Sequence, residues 1–351
     1  MQNSSNKRNI TKYRQTSVIM AILAFLVIIH HVSVSIFSEQ LYGKMLKPFE
    51  YVGVFCIGFF QFLLGYGAMW EREEQKLNGF VRKKVVPVLI SFFFCSYAYM
   101  IVTQIMGARY SSVRLITAFF GITLLNDQMW FAVEVILLYL LFYVVYKNIT
   151  DLRKANTVFL IVVLAFMTGS FFLGHYKGQG ITNWFFGEWW YNTTLCFFLG
   201  MLYEQNQEKL ESVMQKNYAK IIICVSMLFV GTVILMVYVL QTYGYWSETR
   251  MTMHYDHKLL SFGVQTIAVF LFLVVMVAII QRVHFGGKIF DEGCKIYLEL
   301  ILLNNLFIYV CSHAQLIFSK EIFILLEIVF TYIAAIILYR IKIIVLGGKV
   351  K

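Results

Sequence analysis

Two adjacent histidines, His30 and His31, close the apolar run AILAFLVII. Histidine is the side chain that gives or takes a proton near neutral pH, so either is a candidate general base. Neighbouring positions on a helix point about 100° apart, so at most one of the pair readily faces a given site. The plainer reading is a hydrated or helix-packing polar pair. Three acids, Glu134, Glu299 and Glu327, also fall inside apolar runs. An ionised carboxyl there is unfavourable, which makes each a functional candidate against the alternative of a protonated packing acid. Arg82, Lys83 and Lys84 cluster just before Pro87. Such side chains hold phosphates well, although ordinary charge at the inner face of a membrane would also explain them.

Other chemistries have no support. The chain has no P-loop, no G-x-G-x-x-G, no H-E-x-x-H and no G-x-S-x-G. Its six cysteines lie in or beside apolar runs without metal-binding spacing and read as small packing residues. No permanently bound cofactor or metal is expected. The +11 net charge is spread over short loops rather than gathered in a basic domain, so nucleic acid is not an expected partner.

The elements that must position these residues are membrane helices. The 351 residues are 60% apolar and only 14% charged, and the mean hydropathy is +0.70. A soluble domain carries roughly 25% charged residues, so most of this chain must face lipid or other apolar helices. Spans of about 20 apolar residues are expected near 16–37, 50–70, 85–106, 128–147 and 155–174. Five more are expected near 189–203, 218–242, 258–281, 294–312 and 321–341. The sixth is short, and 115–125 is too short to span, so it is expected to be re-entrant or interfacial. The spans are read as free of Lys and Arg between their ends.

Ten crossings with the N-terminus inside put 22 of the 30 Lys and Arg on the cytoplasmic side and 8 outside. Every inner segment then outnumbers every outer one, and adding or dropping a helix scrambles the alternation. The expectation is an all-α polytopic bundle of about ten helices with both termini cytoplasmic. It forms one membrane domain, 1–351, with a short cytoplasmic tail, 1–15. Full-length apolar sequence follows Lys7, Arg8, Lys12 and Arg14 with no small-residue cleavage site. Gly58, Gln61 and Gly65 share a face of the second span, where small residues let helices approach closely. Gln61 is also placed to line a polar cavity.

Several blocks, in order, resemble the acyltransferase family 3 membrane proteins. They are MAILAFLVIIHHVS (20–33), GVFCIGFFQFLLGYG (53–67), RKKVVP (82–87) and MWFAVEVILLYLLFY (129–143). EWWYNTTLCFFLGMLYEQNQEKLE (188–211) and IFDEGCKIYLELILLNN (289–305) complete the set. The chain departs from the family pattern at Met20, where a basic residue stands eleven positions before the histidine. It departs again at Leu64 and Cys294, where serines are usual. Glu134 sits one position from the glutamate of one branch of the family.

The resemblance implies transfer of an acetyl or other short acyl group from cytoplasmic acyl-CoA to a hydroxyl of a cell-envelope polysaccharide. It also implies a multi-pass protein of the bacterial plasma membrane. His31 would be the base, His30 its substitute, Glu134 an orienting acid, and Arg82, Lys83 and Lys84 the holders of the CoA phosphates. The acceptor would reach the membrane directly as an envelope glycan or a lipid-linked one. Trp184, Trp189 and Trp190 are candidates for stacking on sugar rings, or equally for an interfacial belt. A transporter or flippase for an envelope polysaccharide is the competing reading, favoured by the loss of the basic partner at Met20. A scaffold would need none of the buried polar residues.

Overall fold

The computed structural model describes residues 2–34, 46–73, 77–174, 185, 190–244, 251–283, 287–316 and 318–348. Among them the regular elements are all helical: α1 (Gln2–Val34), α2 (Val52–Glu73), α3 (Val86–Ile105), α4 (Ser112–Phe119) and α5 (Trp130–Asn148). They continue with α6 (Leu152–Leu173), α7 (Trp190–Thr193), α8 (Leu195–Gln205), α9 (Gln207–Lys216) and α10 (Tyr218–Tyr243). The last are α11 (Tyr255–Arg282), α12 (Lys288–Lys295), α13 (Tyr297–Leu303), α14 (Leu306–His313) and α15 (Lys320–Val345).

Eight of these segments are long and apolar enough to cross a bilayer. A ninth is the bent run of α12 with α13 and α14, turned by 56° at its break. The sixth expected span is described from 190 onward as α7 and α8, broken at Thr194. The segment 115–125 begins inside α4, whose 8 residues give roughly 12 Å, far short of a bilayer core of about 30 Å.

His30 near the end of α1 meets Phe49 and Gly53 at the start of α2, and Lys84 just ahead of α3 meets Glu71 at the end of α2, so one end of the bundle holds the start of α1, the end of α2 and the start of α3. This is the end where the inner Lys and Arg gather, and we call it the basic end. α2 is the most enclosed span and α10 the least, so α2 lies at the centre and α10 at the lipid face. Glycine sets the central contact. A Cβ on Gly65 of α2 would fall 1.9 Å from the Phe197 carbonyl oxygen, and one on Gly200 of α8 would fall 1.9 Å from that of Phe62. The two helices therefore meet backbone to backbone, as the small-residue face of the second span predicts.

Helix ends are finished by local chemistry. Asp151 caps α6 by accepting from the Lys154 backbone N–H at 2.9 Å, and that bond holds its carboxyl below the usual carboxylate range. Lys258 Nζ donates to the carbonyls of Phe171 and Gly174, placing an ammonium where the last turn of α6 is negative. Lys258 is buried because α11 begins at Tyr255, three residues before the expected span. Lys342 is buried too, because α15 runs on to Val345. These two lysines correct the expectation that the spans lack internal basic residues.

Candidate active site

The histidine pair sits on the last turns of α1, at the end opposite the basic one. His30 Nδ1 lies 3.0 Å from the Phe49 carbonyl, in the short 3-10 turn Lys47–Tyr51 that precedes α2. A carbonyl can only accept, so Nδ1 carries the hydrogen and Nε2 is left with its lone pair in the neutral ring. The ring fits because position 53 has no side chain: a Cβ there would come within 2.6 Å of His30 Nε2. His31 is half-buried and packs edge-on to His30, with centroids 4.9 Å apart.

Both histidines line a cavity of about 20 Å³, enclosed with Gln128, Trp130, Phe131 and Ile301. That is room for about one water molecule. The loop ahead of α5 is fixed by Asn126, whose amide donates to the carbonyls of Leu302 (2.9 Å) and Asn304 (3.2 Å). Asn304 in turn donates to the Val27 carbonyl at 3.3 Å. The break between α13 and α14, where Asn305 takes φ 76°, is thus stitched to the turn of α1 below the histidines.

Glu134 does not line that cavity. It lies one helical turn deeper along α5, fully buried, where it accepts from Thr194 Oγ1 at 2.5 Å beside the Gln61 carboxamide. Asn192 Nδ2 donates to Gln265 Oε1 at 3.1 Å in the same layer. The break between α7 and α8 therefore supplies the donor to Glu134, and Gln61 joins a polar layer rather than serving only as a small-face neighbour.

A family model described as an acyltransferase domain matches residues 18–340, nearly the whole chain. The chain belongs to the acyltransferase 3 family. It is a multi-pass membrane acyltransferase. Neither the curated proteins nor the solved structures yield a match.

The acyltransferase carries a second polar cluster that sequence reasoning did not assemble. Lys342 Nζ donates to Glu299 Oε1 and, at 3.1 Å, to Ser91 Oγ, while Ser91 donates to the same carboxylate oxygen at 2.6 Å. All three side chains are buried. This joins α15, α13 and α3 near the basic end. Glu327 is engaged separately, accepting from Thr331 one turn on at 3.1 Å.

Arg82, Lys83 and Lys84 lie in a π-helical turn, Val81–Val85, leading into α3 at the basic end. Arg82 and Lys83 are exposed, whereas Lys84 approaches Glu71 at 3.7 Å. They are not brought together with the histidines, since α3 begins where α1 is many turns short of His30. Trp184 and Trp189 lie outside the described residues, as does the side chain of Trp190.

Proposed function

We propose that this acyltransferase moves an acetyl or other short acyl group from cytoplasmic acyl-CoA to a hydroxyl of a cell-envelope polysaccharide. The observation that carries the reading is the unequal freedom of the two histidines in one cavity. His30 is buried, clamped by the Phe49 carbonyl and covered at Nε2 by Gly53. His31 is half-buried and faces the same water-sized space. His31 is then the base, and His30 the residue that positions it.

In the reaction the acceptor hydroxyl oxygen attacks the thioester carbonyl carbon. The C–O bond forms as the C–S bond breaks. His31 takes the hydroxyl proton and returns it to the departing thiolate, which leaves as CoA thiol. A positioned base of this kind contributes about 10²–10⁴-fold. Arg82 and Lys83, exposed at the basic end, supply the charge for the CoA phosphates, with Lys84 beside them. Glu134 lies a turn below the Trp130–Phe131 wall and orients that wall through α5.

Mass spectrometry of envelope glycans tests the reading, comparing cells with the wild-type chain, with none and with His31→Ala. Acyl groups are expected on one glycan only in wild-type cells. Acylation at wild-type level in the His31→Ala strain, with the protein at normal abundance, would overturn it.

A further inference from the structure

A larger cavity, about 420 Å³, lies away from the histidines between α3 and α4. Phe93, Tyr97, Met100, Ile116, Phe119 and Leu125 line it. Its volume falls within the range of ligand sites, roughly 300–1,000 Å³. Its polar exception, Ser96, spends its hydroxyl on Met129 Sδ at 3.1 Å. The mouth opens sideways, for Tyr97, Ile116 and Phe119 are all exposed on the flank of the bundle. Of the α3 residues that line it, Ser96, Tyr97 and Met100 lie in the half of the helix farther from the basic end, so this flank faces the lipid leaflet on the histidine side.

The rim is basic. Residues 106–129 carry Arg109, Arg114 and Asp127 and no other charge. Arg109 is exposed, and Arg114 sits over the Tyr110 ring at 5.2 Å. Asp127 faces Arg114, so the rim keeps a surplus of one positive charge.

The cavity also neighbours the candidate active site. Leu125 lines the apolar cavity and Gln128 lines the histidine cavity. Three residues span at most about 10 Å, so the two spaces are close neighbours across the loop pinned by Asn126.

We propose that the α3–α4 cavity holds the aliphatic chain of a phosphorylated lipid, with its head group at Arg109 and Arg114. The lipid is the carrier of the acceptor sugar, an assignment that rests on the acyl-transfer reading above. The apolar lining takes the chain, the rim takes the phosphate, and the sugar reaches past Gln128 to His31. An anionic head pairs with a rim of net positive charge, and a neutral one gains nothing from it.

The test uses the full chain in phosphatidylcholine nanodiscs with a diazirine-bearing long-chain isoprenyl phosphate and no acyl donor. Photolabel is expected on peptides covering 93–100 and 115–125. It is expected to be lost in Ala118→Trp, which fills the cavity, and in Ile116→Trp, whose position is already exposed and so tolerates the larger ring. Excess unlabelled isprenyl phosphate should displace the label, and phosphatidylglycerol should not. Label spread evenly over all lipid-facing helices and unchanged in both variants overturns the proposal. Displacement by phosphatidylglycerol overturns it as well, because the site would then hold bulk anionic lipid. Since no acyl donor is present, a positive result stands even if acylation fails, and glycan acylation without cavity labelling sinks this inference alone.

Discussion

The thiol of Cys294 lies against the thioether of Met20, with Sγ and Sδ 3.9 Å apart. These are two of the positions where the chain departs from the family pattern, which has a serine at one and a basic residue at the other. Their contact places the two departures side by side: a basic side chain at 20 would meet a thiol, a weak acceptor, where the family pattern offers it a hydroxyl. A double-mutant cycle reads this directly. Met20→Arg alone should lower the thermal midpoint in detergent, and adding Cys294→Ser should recover part of the loss. The coupling is expected at about 0.5–3 kcal/mol. Strictly additive effects would show that the two positions are independent.

The approach of α2 to α8 is the next most exposed to test. A Cβ at Gly65 or Gly200 would sit 1.9 Å from a backbone oxygen, so the helices must part. Gly67, two positions on, has nothing within 4 Å of its Cβ site. Gly65→Ala and Gly200→Ala should each destabilise by several kcal/mol, the range of severe packing changes. Gly67→Ala should be neutral or slightly stabilising, since alanine favours helix by up to about 1 kcal/mol. Thermal shift of the three purified variants decides it.

The layout of the spans and the small-residue face of α2 were legible because each leaves a local signal, a run of apolar residues or a spacing of glycines. The paired asparagines at 304–305 mark a break, but their partner Asn126 lies 178 residues from Asn304, and no local pattern joins them. Lys342 was hidden for another reason. It follows an apolar window ending near 341 and so reads as an ordinary inner-face charge. Only the continuation of α15 to Val345 turns it inward to Glu299. Likewise Glu134 stands out as a buried acid from its neighbours alone, whereas Thr194 is identified as its donor by the break between α7 and α8.

The Lys342–Glu299–Ser91 cluster should behave as a unit. Removing one charged partner leaves the other buried and uncompensated, a loss of about 3–5 kcal/mol. Lys342→Met and Glu299→Leu are each expected to show it, and the double variant should lose less than the two singles together. Ser91→Ala deletes one donor and should lose about 1–3 kcal/mol. A loss in the double variant equal to the sum of the two single losses, followed by thermal unfolding, would refute the coupling.

Glu134 and Thr194 give a cleaner separation of charge from hydrogen bonding. Glutamine at 134 still accepts from the Thr194 hydroxyl, so Glu134→Gln should fold and melt close to the wild type. Glu134→Leu removes this hydrogen bond and should lose about 1–3 kcal/mol. If Glu134 acts through its charge, Glu134→Gln loses acylation while keeping its stability. If it acts by positioning α5 through this hydrogen bond, Glu134→Gln keeps both.

The division of labour between the histidines predicts different kinetics at neighbouring positions. His31→Ala removes the proposed base and should lower kcat by about 10²–10⁴-fold with little change in stability. His30→Ala deletes the donor to Phe49 and leaves a space beside Gly53, so it should reduce both stability and rate. His30→Asn, whose amide can still reach toward the Phe49 carbonyl, should recover part of each. Gly53→Ala touches neither histidine chemically, yet its Cβ would stand 2.6 Å from His30 Nε2. It should therefore displace the His30 ring and mimic His30→Ala in rate while leaving His31 intact. Acyl transfer in proteoliposomes, alongside melting curves for the same preparations, checks the set. A His30→Ala variant with full stability and no activity, beside an active His31→Ala, would reverse the two roles.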